Sequence, residues 1–271
     1  MPSPSAITVS QLSRLVGTSS APVLIDVRID EDFNTDPRNI PGSFRYSFDN
    51  INAIVSDLLN KKVVVICYQG LKLSQGAAAV LRAAGVSAEY LEGGFVNWIN
   101  ADQPTVSVKY LTNVNQNNQT VWVTRHRPKI DRIACPWLIK RFVDPSASFL
   151  YVEPSQVLIV AEKFNALAFD AEGAPYAHRD GKCTFDVMLE EFELQSEPLQ
   201  YLANIVRAAD TGKHEIASEA TGLLAISLGF SRMYKDDSIQ LEASLPLYDA
   251  LYRWCRDARN EKHDAAMHNN I

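Results

Sequence analysis

The chain has 271 residues, enough for about two domains that each bury a core. Hydrophobic residues make up 46% and charged residues 21%, a balance that excludes a disordered chain or one embedded in lipid. A net charge of -6, with neither half basic, argues against nucleic acid as a partner.

The opening MPSPSAITVS lacks a basic region followed by an apolar one, so no secretory signal is expected. Val23-Leu24-Ile25 reads as a buried strand and Val63 to Ile66 as another. Ser74 to Ala84 reads as a helix capped by Ser74 and stopped by Gly85. Ala88 to Leu91 is a short strand. Gly93-Gly94 then turns into a helix carrying Phe95, Trp98 and Ile99. Strands alternating with helices predict an α/β domain with a central, mainly parallel sheet. The polar stretch LTNVNQNNQT, Leu111 to Thr120, has little to bury and reads as a linker. The predicted layout is a domain at 1–106, a linker at 107–120, a second domain at 121–260 and a polar tail at 261–271.

The second domain reads as mostly helical α+β. Val121 to Val123 and Phe149 to Val152 are strand candidates. Ile133 to Phe142 is predicted helical, with Pro136 near its first turn. Val157 to Phe164, Phe185 to Phe192 and Leu199 to Ala209 follow as helices. Ile239 to about Arg256 is a long amphipathic stretch in which Pro246 predicts a kink or break. No apolar run is long enough to predict a membrane span.

Four cysteines, Cys67, Cys135, Cys183 and Cys255, stand far apart with no CxxC pair. That spacing disfavours a disulfide framework or a zinc ribbon and fits reduced thiols in the cytoplasm. Cys67 has a specific setting. A buried strand ends at Ile66, a short loop follows, and a helix begins near Ser74. Loop amides and a helix N-terminus converging on one spot favour an anion and lower a thiol's pKa. Lys72 adds positive charge. The bland alternative is an inert core thiol. A phosphatase of the C-x5-R type is rejected, because the required arginine position is Leu73.

Four segments carry a family resemblance over nearly the whole first half. Ile25-Asp26-Val27-Arg28, Ile40-Pro41-Gly42-Ser43, Cys67-Tyr68-Gln69-Gly70-Leu71-Lys72 and Leu91-Glu92-Gly93-Gly94-Phe95 through Trp98 together resemble a rhodanese domain. Asn39, Lys72 and Leu73 depart from the His, Arg and Ser common in that family. The resemblance implies a sulfurtransferase with a persulfide on Cys67 and no cofactor required. Lys72 would help bind a small anionic sulfur donor, and Tyr68, Gln69, Gly70 and Leu71 would line the site. Asp26 and Arg28 would brace the loop within the catalytic apparatus. A thiol or cyanide would accept the sulfur, and Cys135, before Pro136, is a candidate acceptor. Trp98 reads as core.

In the second half, Thr124 to Pro128, Asp131 to Phe142, Ala177-His178-Arg179, Cys183 to Asp186, Ile205 to Thr211, Gly222 to Gly229 and Leu247 to Tyr252 resemble the C-terminal domain of the chromate-resistance ChrB family, over roughly residues 121–257. The link to chromate or oxyanion stress rests on that resemblance. Two features are read from the residues themselves. Arg125, Arg127, Lys129, Arg132, Lys140 and Arg141 crowd one segment whose single acid is Asp131. That segment could bind an oxyanion, with Arg125 and Arg132 as ligands, or be a solvated face with ion pairs. His178, Cys183, Asp186 and Asp210, with His214 beyond, offer a donor set for a transition metal. A non-catalytic oxyanion or redox sensor remains the alternative to an enzyme.

Overall fold

Five parallel strands build the first domain: β1 (Ala6–Ile7), β2 (Val23–Asp26), and, further along, β4 (Ser43–Arg45), β5 (Lys62–Ile66) and β6 (Ser87–Leu91), in the order β1-β6-β5-β2-β4. The short β3 (Arg38–Asn39) lies between β2 and β4 in sequence and pairs antiparallel with β7 (Val106–Ser107). The computed structural model describes residues 5–107 and 119–261. Most of the predicted linker and nearly all of the predicted tail lie outside those residues.

β2 and β5 have almost continuous buried apolar residues, as expected where helices cover both faces of a parallel sheet. One face packs Ile25, Val63, Val65, Ala78 and Leu81, and the other packs Leu24, Val64, Leu91, Phe95 and Trp98. Trp98 is fully buried and donates its indole N–H to Pro104 O at 2.8 Å. The helix after β5 runs Lys72–Ala83, two residues ahead of the predicted start. Ser74 is therefore inside the first turn and is not the cap.

The second domain is mostly helical around a small parallel sheet of β8 (Val121–Arg125), β9 (Ser148–Val152) and β10 (Leu167–Ala168), in the order β10-β8-β9. β8 leads to β9 through the helix Asp131–Leu138 and a π-helical turn, Ile139–Val143. β9 leads through the helix Val157–Phe164 to β10 on the opposite side of β8. The helices Thr184–Glu191, Glu197–Thr211, Ala220–Met233 and Asp237–Arg253 complete the domain. Pro246 lies inside the last of these, and the helix continues past it. Trp122, Trp137, Phe142, Phe185 and Tyr248 form the aromatic heart of the core. Among the described residues, no helix is long and apolar enough to cross a membrane.

The domains touch at several points. The Gly42 N–H donates to Phe142 O at 2.8 Å, and the Phe142 ring rests so close to Gly17 that no Cβ would fit there. Val106 of β7 is buried in the second domain's core, and the Ser107 N–H donates to Phe192 O at 2.8 Å.

Candidate functional site

Cys67 follows β5 directly, at the carboxyl end of the sheet, and is 5% exposed. Its Sγ lies 3.1 Å from Ser74 Oγ, a contact that closes the loop back on the sulfur. Among the described residues, nothing accepts a hydrogen bond from the amides of Tyr68 through Ser74. These amides open a helix of 12 residues, where the unpaired N–H groups and the dipole both favour an anion. Lys72 is exposed in that first turn, and no acid pairs with it among the described residues.

The loop is held through its backbone. Phe95 N–H donates to Cys67 O at 2.9 Å and Val96 N–H donates to Tyr68 O at 3.0 Å. Gly94 has φ +63, and a Cβ there would lie 2.7 Å from Tyr68 O and closer still to Cys67 O and Gly70 N. Gly70, at φ +69, faces the same strand-to-helix turn from the other side, with Leu91 O 2.5 Å from where its Cβ would be. Only glycine permits both the left-handed backbone and this approach.

Asp26 and Arg28 stand on the neighbouring strand end and are buried. The Arg28 guanidinium meets Asp26 Oδ2 at 2.6 Å and donates to Asp36 O at 3.1 Å and Arg38 O at 2.7 Å. Its Cζ lies 3.9 Å from the centroid of the Phe95 ring, the residue that bonds Cys67 O. The pair thus packs on the residue whose amide bonds the loop. Cys135 is fully buried, and burial pushes its thiol well up from the ordinary range. As a sulfur acceptor it is corrected: it is sealed from solvent and kept protonated.

A second cluster forms at the carboxyl ends of β8 and β10, which are parallel neighbours in the sheet. Arg125 ends β8, and after a turn Asp131 begins the next helix. Ile130, just before it, has φ +39, a costly conformation for a β-branched residue. This turn is pinned by Gln240, which donates to Pro128 O at 2.8 Å, and by the Tyr248 hydroxyl, which donates to Ile130 O at 3.1 Å. Asp170 follows β10, also with positive φ.

His178 Nε2 lies 3.2 Å from Asp131 Oδ2, 3.1 Å from Asp210 Oδ2 and 3.6 Å from Asp170 Oδ1. The hydrogen bond to Asp131 and the charges of Asp210 and Asp170 raise the His178 pKa to about 9. Burial, then the neighbouring Asp131 and Asp170, push Asp210 up to about 6. Asp131 is completely buried, which raises its pKa against the opposing pull of His178. Asp131 Oδ2 accepts the Thr184 N–H at 2.6 Å, and its Oδ1 has no N–H or O–H donor. Arg125 donates to Asp170 Oδ2 at 2.8 Å. Arg132 Nε lies 3.1 Å from the same oxygen but out of line for a hydrogen bond.

The structure sorts the sequence-derived candidates. His178 and Asp210 come together. Asp186 is directed elsewhere: it accepts the Cys183 N–H at 3.1 Å, capping its helix, and pairs with Arg207 at 2.7 Å. Cys183 is buried, with its thiol pushed upward first by burial and then by Asp131, so a neutral S–H occupies that place. The His214 ring has no contact with the cluster among the bonds of the described residues. Asp131 and Asp170 escaped the sequence reading. In the basic segment, Arg125 and Arg132 meet Asp170, Lys140 meets Glu242 at 3.5 Å, and Arg141 grips Asp249 at 2.8 Å. Four of its six cations therefore form ion pairs.

Residues 8–101 match the family model for the rhodanese-like domain, and residues 122–255 match that for the ChrB C-terminal domain. A curated relative, Protein ChrB of Cupriavidus metallidurans, is 34% identical over 132 residues, which are 48% of this chain and 39% of that protein. Among solved structures, a rhodanese-related protein from Thermoplasma volcanium is 25% identical, covering 37% of this chain and 96% of its own, with a TM-score of 0.33. A rhodanese-like domain protein from Staphylococcus aureus is 29% identical, covering 34% and 89%, with a TM-score of 0.30.

Proposed function

The chain carries a rhodanese-like domain and a ChrB C-terminal domain, and from this premise we propose that it transfers sulfane sulfur through a persulfide on Cys67. The observation that carries the reading is the run of amides from Tyr68 to Ser74 with no acceptor among the described residues, opening a helix beside the only cysteine of that domain. Fixed N–H dipoles in such a loop stabilise an anionic sulfur without reorganising during the reaction.

The chemistry has two displacements. The Cys67 thiolate attacks the outer sulfur of thiosulfate or a related donor. The donor's S–S bond breaks, its electron pair leaves with sulfite, and Cys67 holds an anionic persulfide. A thiol, as thiolate, or cyanide then attacks the outer sulfur, and the cysteine thiolate is released. Lys72 draws in the anionic donor, and the loop amides of Tyr68, Gln69, Gly70, Leu71 and Lys72 hold the persulfide. Ser74 Oγ, 3.1 Å from Sγ, supplies a further hydrogen bond. The low exposure of Cys67 selects small donors. No cofactor takes part. A role in chromate or oxyanion stress is the context that the ChrB-type domain suggests.

Mass spectrometry after incubation with thiosulfate tests the reading. One added sulfur on Cys67, discharged by a thiol and absent from Cys67→Ser, is expected. No sulfur uptake by wild type would refute the transferase and leave the sensor alternative.

A further inference from the structure

We infer that the cluster at the carboxyl ends of β8 and β10 is a site for a divalent first-row metal ion, with Asp131, Asp170 and His178 as ligands and Asp210 as a further donor. One ligand atom from each of the first three lies within 4.8 Å of the others. Asp210 Oδ2 reaches the same imidazole nitrogen at 3.1 Å, beside the three-residue group.

A separate observation points to a missing partner. Asp131 is fully buried, and its Oδ1 has no N–H or O–H donor. Buried carboxylate oxygens rarely stay unsatisfied, because the lost solvation is not replaced. This oxygen belongs to the carboxylate that reaches His178, and a cation there would satisfy it.

With His178 neutral, as a metal-bound imidazole is, the carboxylates of Asp131, Asp170 and Asp210 outnumber the guanidiniums of Arg125 and Arg132, both on Asp170, and the surplus negative charge suits a cation. Carboxylate oxygens with one imidazole nitrogen suit Mn²⁺, Fe²⁺ or Zn²⁺, whereas a soft ion such as Cu(I) prefers sulfur. The nearby sulfurs, on Cys183 and Cys135, stay protonated and buried. The ligands are themselves fixed. Thr184 donates its N–H to Asp131 Oδ2 and its hydroxyl to Asp170 Oδ1, at 2.6 and 3.1 Å. Such outer hydrogen bonds orient metal ligands. His178 is 44% exposed on its side chain, which gives an ion a path in and leaves room for water or a small ligand.

The test uses the full chain, stripped with a chelator and titrated separately with MnCl₂, followed by electron paramagnetic resonance of free Mn²⁺, and with ZnSO₄ in a calorimeter. Wild type is expected to take up one ion per chain. His178→Gln, which keeps an N–H donor toward Asp131, is expected to fold and to abolish saturable binding. Thr184→Val is expected to weaken it about tenfold. His126→Gln, which alters the histidine beside Glu153, is expected to bind as wild type. Cys67→Ser is also expected to bind as wild type, which separates this site from sulfur transfer. Absence of saturable binding of either ion to folded wild type, or unchanged binding in folded His178→Gln, would overturn the inference.

Discussion

Gly94→Ala tests how the sulfur loop is held. The new Cβ would sit at φ +63 and drive into backbone atoms of Cys67, Tyr68 and Gly70. The left-handed backbone alone costs about 1–2 kcal/mol. Collision with atoms that cannot rotate away adds about 1–3 kcal/mol. The total, about 2–5 kcal/mol, follows from these two contributions. Two other glycines separate them. Gly85 has φ +88 with nothing within 4 Å of a Cβ, so Gly85→Ala incurs only the backbone cost, reduced by about 0.4–1 kcal/mol through the stiffer unfolded chain. Gly76 lies inside the Lys72–Ala83 helix with open space around it, and Gly76→Ala should stabilise by roughly 1 kcal/mol. Urea unfolding gives the three free-energy changes from shifts in midpoint at constant slope. Sulfur loading gives the functional cost. Displacing the loop by about 1 Å should slow Cys67 persulfide formation about a hundredfold in Gly94→Ala alone. Were Gly94→Ala no less stable than Gly85→Ala and as quick to load sulfur, the backbone clamp would not be what positions Cys67.

Native alkylation with iodoacetamide should label Cys67 first, and Cys135, Cys183 and Cys255 only after denaturation, as read by peptide mapping; these three are 0%, 0% and 1% exposed. Arg28→Lys keeps the charge but loses the fork that spans Asp26, Asp36 O and Arg38 O, and should cost about 2–3 kcal/mol in urea unfolding. Asp249 accepts from Arg141 Nε at 2.8 Å and from the Trp137 indole at 2.8 Å. Asp249→Ala strands both donors and should cost about 2 kcal/mol, whereas Arg141→Met with Asp249→Leu should regain part of that loss in the same assay.

The local parts of the fold were legible. A buried run ending at Ile66, a loop with Gly70, and an alanine-rich stretch stopping at Gly85 specify a strand, loop and helix with no help from distant residues. Ser74 was misread because serine favours caps, yet the helix starts at Lys72, and the hydroxyl turns to the Cys67 sulfur instead. The helix Ala220–Met233 went unforeseen, since Gly222 and Gly229 oppose helix and only tertiary packing overrides that preference. The second cluster is the least local feature. Asp131 and Asp170 meet because β8 and β10 are parallel neighbours, a pairing that short-range patterns do not encode. Asp186 was drawn in by its closeness in sequence to His178, but a capping role turns it toward Arg207. A usable signal was present: Asp131 is the lone acid among the cations of residues 125–141.

β7 belongs to both halves of the molecule. It lends Arg38 and Asn39 a strand partner, buries Val106 among the second domain's side chains and bonds Phe192 O through Ser107. With Phe142 seated on Gly17 and Gly42, the described residues fasten the halves at separate places besides the peptide chain. Heat should therefore melt the two halves together, as one calorimetric transition.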